Sequence, residues 1–278
     1  MKNILKIMLM MITIFTIAGS AVYAAEIPVS DQDQLITSND WTEISNLQDE
    51  MKKEEPDATI DYDKALKVYV DCNLIKLQTA DTKKLTSALE SANYVWVIPF
   101  KMEKTYGMFT VAKGLPLREE AKSVLTKAEQ EEVKNHAGKW MITETAEHTV
   151  EPYYDILLEK REALSDCTRV VLVGSQPGMR QPVALGMDDE TARIWISLGY
   201  QYPVMEKIPE TQNVESGVYS FESVADISDT YIEDSEVSTG AGVQSRSSMK
   251  YVAGIGIIVI GSILILSVLK KKKLEDYE

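Results

Sequence analysis

Between Tyr251 and Leu269 the chain runs YVAGIGIIVIGSILILSVL, 19 residues with no charge and no proline, which is the length a helix needs to cross a bilayer. That stretch constrains every other segment. Lys270, Lys271, Lys272 and Lys273 follow it directly, and because cationic flanks stay cytoplasmic, the long part before the span is expected outside. Gly254, Gly256 and Gly261 would allow close approach of a second helix, but their spacing is not Gly-x-x-x-Gly.

The other end supplies the export route. Lys2 and Lys6 form a positive n-region, Ile7 to Val22 an apolar h-region, and Val22 and Ala24 the small-residue pattern before a cut. We therefore expect a signal peptide over residues 1–24, the rival being an uncleaved anchor. No Cys follows the h-region, which argues against a lipoprotein.

With the n-region at +2 and the tail after Leu269 at +1, a whole-chain charge of −14 leaves −17 on the part between. Such a surface repels nucleic acid and anionic headgroups, both of which require clustered Lys or Arg. Nucleic acid is excluded as a partner on this ground. Solubility accounts for the acid excess, with divalent cations or cationic partners as the alternative. Cys72 and Cys167 are too few for a disulfide scaffold, and the sequence leaves open whether they pair or stay buried as thiols. The absence of any Asn-x-Ser/Thr sequon points to a bacterial surface protein.

Within the outer part, Asp40 with Glu43 forms a capping-box pattern ahead of Trp41, Ile44, Leu47 and Met51, so a short helix is expected in a polar segment 25–58. A domain over 59–205 follows. Its strands are expected at Leu66–Val70, Tyr94–Phe100, Gly107–Ala112, Lys139–Thr145, Arg169–Val173, Pro182–Met187 and Arg193–Ser197. Helices are expected from the Asp81 cap to Ser91, from the Thr126–Glu129 capping box to His136, and from Tyr153 to Leu164. Pro99 implies an edge or a bulge.

The spacing is that of a duplicated β-α-β-β unit. Val68 to Val95 is 27 positions and Met141 to Val170 is 29, while Val95 to Met108 and Val170 to Val183 are both 13. Residues 206–250, acidic and Ser-rich, read as a flexible stalk with contacts open through Val218, Tyr219 and Phe221. The fold class is therefore α+β, a small mixed or antiparallel sheet followed by a disordered stalk, the helix 251–269 and a basic tail 270–278.

Chemistry has little to work with. His136 and His148 lack paired spacing for a metal and read as solvated or cap-proximal. Gly174-Ser175-Gln176-Pro177-Gly178 is neither Gly-x-Ser-x-Gly nor a phosphate loop, and reads as a type II turn with Pro177 and Gly178 at its centre. Asp188, Asp189 and Glu190 lack calcium-loop spacing and read as a hairpin tip. Trp96, Trp140 and Trp195 read as core, with a sugar-stacking platform as the alternative where one is exposed. Glu236-Val237-Ser238-Thr239-Gly240 keeps only the last two residues of a wall-sorting pentapeptide.

No catalytic, cofactor or metal residue is assigned. The expectation is a single-pass protein of the cell membrane whose outer α+β domain binds a protein or envelope component. The alternatives are a carboxylate hydrolase and an accessory subunit of a membrane complex.

Overall fold

In a computed structural model, residues 27–235 are described, apart from 149, 175, 180, 201 and 210–212. The signal peptide, the span 251–269 and the tail lie outside the described residues. Among those described, no helix is long and apolar enough to cross a membrane.

Ten strands form one open, mostly antiparallel sheet. One meander runs outward through β2 (Leu66–Tyr69), β3 (Tyr94–Lys101), β4 (Tyr106–Lys113) and β5 (Trp140–His148). The other runs the opposite way through β6 (Arg169–Val173), β7 (Val183–Met187), β8 (Ala192–Ser197), β10 (Val218–Ser220) and β9 (Asn213–Glu215). They meet at β2 and β6, whose pairing is parallel, Val68 opposite Leu172 and Tyr69 opposite Val173. A two-residue β1 (Thr59–Ile60) pairs with β3 beyond the start of β2.

Five helices of seven residues or more accompany the sheet: α1 (Gln48–Glu54), α2 (Thr82–Glu90), α3 (Lys127–His136), α4 (Tyr153–Glu159) and α5 (Phe221–Ser235). Alternation along each strand divides the core. Val171, Val173, Leu185 and Trp195 face α2 and α5 on one side, where Trp96, Ile98, Phe109 and Val111 also meet the N-terminal segment. On the opposite side Val68, Val170, Leu172 and Ile196 pack against Tyr153 and Leu157 of α4. That helix lies on the crossover from β5, at one edge, to β6 at the centre, the connection a parallel pair demands.

Local chemistry explains most boundaries. The Asp81 side chain accepts from Lys83 N and Lys84 N at 2.9 and 3.2 Å and caps α2. Thr126 and Glu129 close both halves of their capping box. Pro99 sits inside β3, yet its carbonyl accepts from Asp61 N at 2.9 Å. In a strand the N and C=O of one residue point the same way, so the missing donor faces the gap between the end of β1 and the start of β2.

Five expectations are corrected. The duplicated unit fails on topology: β3 lies beside β2, whereas its counterpart β6 lies nowhere near β5. The stalk does not begin at residue 206, because β9, β10 and α5 continue the fold, with Val218 and Val224 fully buried and Phe221 stacked on Trp195 at 5.7 Å. The polar segment is no appendage, since Ile27, Leu35, Ile44 and Met51 are all core. Asp40 makes no cap. Its carboxylate turns inward and accepts from Tyr94 Oη at 2.9 Å and Trp96 Nε1 at 3.0 Å, donors that the sheet would otherwise bury without a partner. The third helix also stops early, at Glu159, and turns carry the chain on to β6.

Candidate functional site

The parallel pair is fastened at both ends, and the two fastenings differ. At the amino end, residues 28–35 fill the space between β2 and β6: Val170 N donates to Pro28 O at 2.7 Å and Leu35 N to Ala65 O at 3.2 Å. This brings Asp33 onto the sheet with 2 % of its surface exposed. Its carboxylate accepts from Ser30 Oγ at 2.6 Å, Tyr69 Oη at 2.7 Å and Arg169 Nη2 at 3.0 Å. Lys67 Nζ lies 3.8 Å from the same carboxylate and 4.5 Å from the centre of the Tyr94 ring. Burial lowers the pKa of Lys67, while the charges of Asp33 and Asp40 act against that shift. The cluster is a clasp: two cations, one buried anion and aromatic walls hold the N-terminal segment down.

At the carboxyl end the strands part. The chain leaves β2 toward β3 and leaves β6 toward β7, so their loops diverge and open a crevice, the arrangement where open sheets that contain parallel strands take ligands. One lock spans it. Gln176, 3 % exposed, accepts from Leu74 N at 2.9 Å and donates to Cys72 O at 2.6 Å and Gly174 O at 3.0 Å. Gln176 is held in turn by the β-turn it opens: Met179 N donates to Gln176 O at 2.8 Å, and Gly178 takes φ +71°. The turn read from Pro177 and Gly178 is therefore present, with the positive φ at the second central position that type II requires.

Beside this lock, a cleft of about 340 Å³ opens between the loop after β2 and the end of α2. Leu74, Leu77, Ala88 and Ala92 make its apolar wall, and Asp71, Cys72, Asn73 and Ser91 its rim. The loop is held in costly backbone, with φ +52° at Asp71 and +48° at Gln78, a conformation that side chains with a Cβ rarely adopt and that collects at binding sites. Asp71 is fixed by accepting from Asn93 N and Nδ2 at 3.2 and 2.5 Å. Burial, followed by the charge of Asp71, pushes Cys72 up to about 11, so its sulfur is a thiol at neutral pH and a poor nucleophile. Leu77 keeps 44 % of its surface exposed. A cleft with an apolar wall and a rim already engaged in its own hydrogen bonds suits a compact apolar group.

A third cluster lies under α4. Tyr200 Oη is 3.0 Å from His148 Nδ1 and 3.3 Å from Tyr153 Oη. His148 is therefore not solvated, and burial lowers its pKa. Glu144, on the same strand, is raised by burial, with the Thr110 hydroxyl bond acting against that shift. Its environment is hydroxyl-rich: its charge bears on Tyr153 and Tyr200.

The remaining sequence candidates disperse. His136 closes α3. The Asp188 carboxylate accepts from Glu190 N at 2.8 Å, Thr191 N at 2.6 Å and Arg193 Nε at 2.5 Å, closing a hairpin tip to which Thr82 and Thr168 also donate. Trp96 and Trp195 are fully buried and Trp140 is 7 % exposed, which removes the sugar platform. Cys72 and Cys167 are free thiols that belong to cores on opposite faces of the sheet. Among the described residues no group of His, Cys, Asp or Glu is arranged to hold a metal.

Sequence reading missed Gln176, Asp33 and Lys67. Gln176 stood inside a motif read for its Gly and Pro, and Asp33 in a segment read as polar surface. Lys67 carried a usable signal, as the one charge inside the strand LKVYV. Comparison with protein-family models, with curated proteins and with solved structures gives no match.

Proposed function

We propose that the chain is a single-pass membrane protein whose outer α+β body binds a protein or envelope component, with the cleft between the loop after β2 and the end of α2 receiving an apolar side chain of that partner. The observation that carries the membrane part is the uncharged stretch 251–269 with four lysines directly behind it. A binding body agrees with a rim whose thiol is protonated and whose Asp71 is spent on holding a loop. The distance from body to membrane is short. With α5 ending at Ser235, fifteen residues precede Tyr251, which reach at most about 50 Å when fully extended. The partner is therefore expected on the same membrane or close to it.

The test is protease added to intact cells expressing a chain tagged after Glu278. Loss of the body with the tag protected supports this orientation, and an intact body with a digested tag overturns it. Release of the chain from membranes by alkaline carbonate would overturn the anchor. For the cleft, Leu77→Asp should reduce recovery of crosslinked partner from intact cells at least fivefold at unchanged thermal midpoint. Unchanged recovery would remove the cleft from the reading.

A further inference from the structure

The outer side of β5 is an open strand edge. This nine-residue strand pairs with β4 and, among the described residues, with no strand on its other side. Which of its backbone groups face outward follows from alternation. The β3–β4 hairpin closes with Met102 N donating to Thr105 O, so Gly107 and Phe109 turn their backbone groups toward β3, and Met108, Thr110 and Ala112 turn theirs toward β5. Gly114, next in that series, does bond to Lys139 O at 2.9 Å. Ala146 and His148, opposite Met108 and Tyr106, therefore point inward, and Thr145 and Glu147 present N–H and C=O to the outside.

An edge of this length is a template for another strand, and proteins commonly blunt such edges with a bulge and with charge. Both devices are here. The register shifts opposite Thr110 and Val111, and the charge is of one sign. Glu147 stands two residues along β5 from Thr145, Glu54 and Glu55 are consecutive in the chain, and burial raises the pKa of Glu55 with the charges of Glu147 and Glu54 raising it further. The Thr145 hydroxyl donates to Glu54, which sets that carboxylate beside the edge. A guard of one sign selects rather than excludes. It repels acidic strands, and it repels a second copy of the same edge, which would bring identical carboxylates to one seam.

We propose that β5 takes an extended segment of a partner protein by strand addition, main chain bonding to Thr145 and Glu147, with Lys or Arg at alternate positions of the segment meeting Glu54, Glu55 and Glu147. Main-chain bonds supply the affinity and the alternate side chains the choice of partner. This names the chemistry of a partner and rests on the reading of the body as a binding domain, not on the side of the membrane it faces.

The test uses the purified full chain in lipid nanodiscs and a fluorescent ten-residue peptide alternating Lys and Val, with a Glu–Val peptide as control, read by anisotropy. The basic peptide should bind at least tenfold more tightly. Thr145→Pro removes an outward donor together with the hydroxyl that bonds Glu54 and should weaken binding at least tenfold, whereas Thr145→Val loses the same hydroxyl but keeps the donor and should not. On the unaltered chain, a Lys–Val peptide N-methylated at alternate residues keeps its charge but cannot bond along the seam, so it should lose at least tenfold. Binding that survives N-methylation is charge attraction alone and overturns the proposal, as does equal or absent binding of the basic and acidic peptides. Because the purified chain is used, a wrong membrane orientation would fail the protease test and leave this result intact.

Discussion

Arg169 and Asp33 form an ion pair of 3.0 Å at the seam between β2 and β6, and the carboxylate in it is 2 % exposed. The two residues are 136 positions apart, so the pair ties the first described turn of the chain to the start of the second meander. Lys67 leans on the same anion from β2. Asp33→Asn keeps the shape and removes the charge, leaving two cations facing each other in a buried site. The expected loss is about 3–5 kcal/mol, the cost of breaking one side of a buried pair. Urea unfolding followed by tryptophan fluorescence measures it, and a loss under about 1 kcal/mol would mean that the clasp is wet.

Gln176→Leu keeps most of the side-chain volume while freeing Leu74 N, Cys72 O and Gly174 O. Each buried group left unpaired costs about 1–3 kcal/mol, and partial rehydration at the crevice mouth limits the sum to about 2–4 kcal/mol. The local effect should be larger than the global one. Hydrogen exchange of amides 71–78 is expected to rise at least tenfold while amides of β7 and β8 stay protected. Uniform acceleration across the sheet would assign Gln176 to overall stability instead.

The strands of the two meanders were readable because their apolar runs and turns are local: β6 begins and ends where the pattern RVVLV does, and Asp81 and Thr126 cap the helices they were expected to cap. What escaped was set by contacts distant in sequence. Nothing near Asp40 reveals that Tyr94 and Trp96 will take its carboxylate. The acidic run after Glu206 reads as solvated until β8 offers an edge to β10, which buries Val218 on one face of the sheet and Phe221 and Val224 on the other. The crevice was invisible for a related reason: it exists because β2 and β6 are parallel neighbours, and no local pattern encodes that pairing.

The cluster under α4 sets a pH dependence. Burial holds His148 below its ordinary 6.5, so the unfolded chain takes up that proton first. Its contribution is complete above pH 6.5 and is lost as the pH falls through the folded value. Glu144, held above its ordinary 4.5, acts oppositely, stabilising at acid pH and losing that contribution as the pH rises. Between pH 6.5 and 5.5 the His148 contribution steepens the fall in stability by up to about 1.4 kcal/mol per pH unit. His148→Gln should flatten the fall and Glu144→Gln should steepen it, both read from urea midpoints at each pH. Identical profiles for the His148→Gln and unaltered chains would show that the histidine is solvated in the fold.

Ser228 gives the sharpest check on where the folded body ends. It lies seven residues beyond Phe221 on α5, fully buried, and among the described residues its Oγ has no hydrogen-bond partner. A buried hydroxyl without a partner forfeits its hydration and gains nothing in return. Serine is also a poorer helix former than alanine. Ser228→Ala should therefore stabilise the protein by about 0.5–2 kcal/mol, visible as a rise in thermal midpoint. A flexible tether over these residues would give no change, because an exposed serine outside a helix has neither cost to relieve. Ser228→Asp supplies the complementary arm: a buried carboxylate should destabilise by at least about 3 kcal/mol, while on a solvated tether it would be silent. Opposite responses to two substitutions at one position place α5 inside the cooperative unit, and silence from both would return residues 221–235 to the stalk.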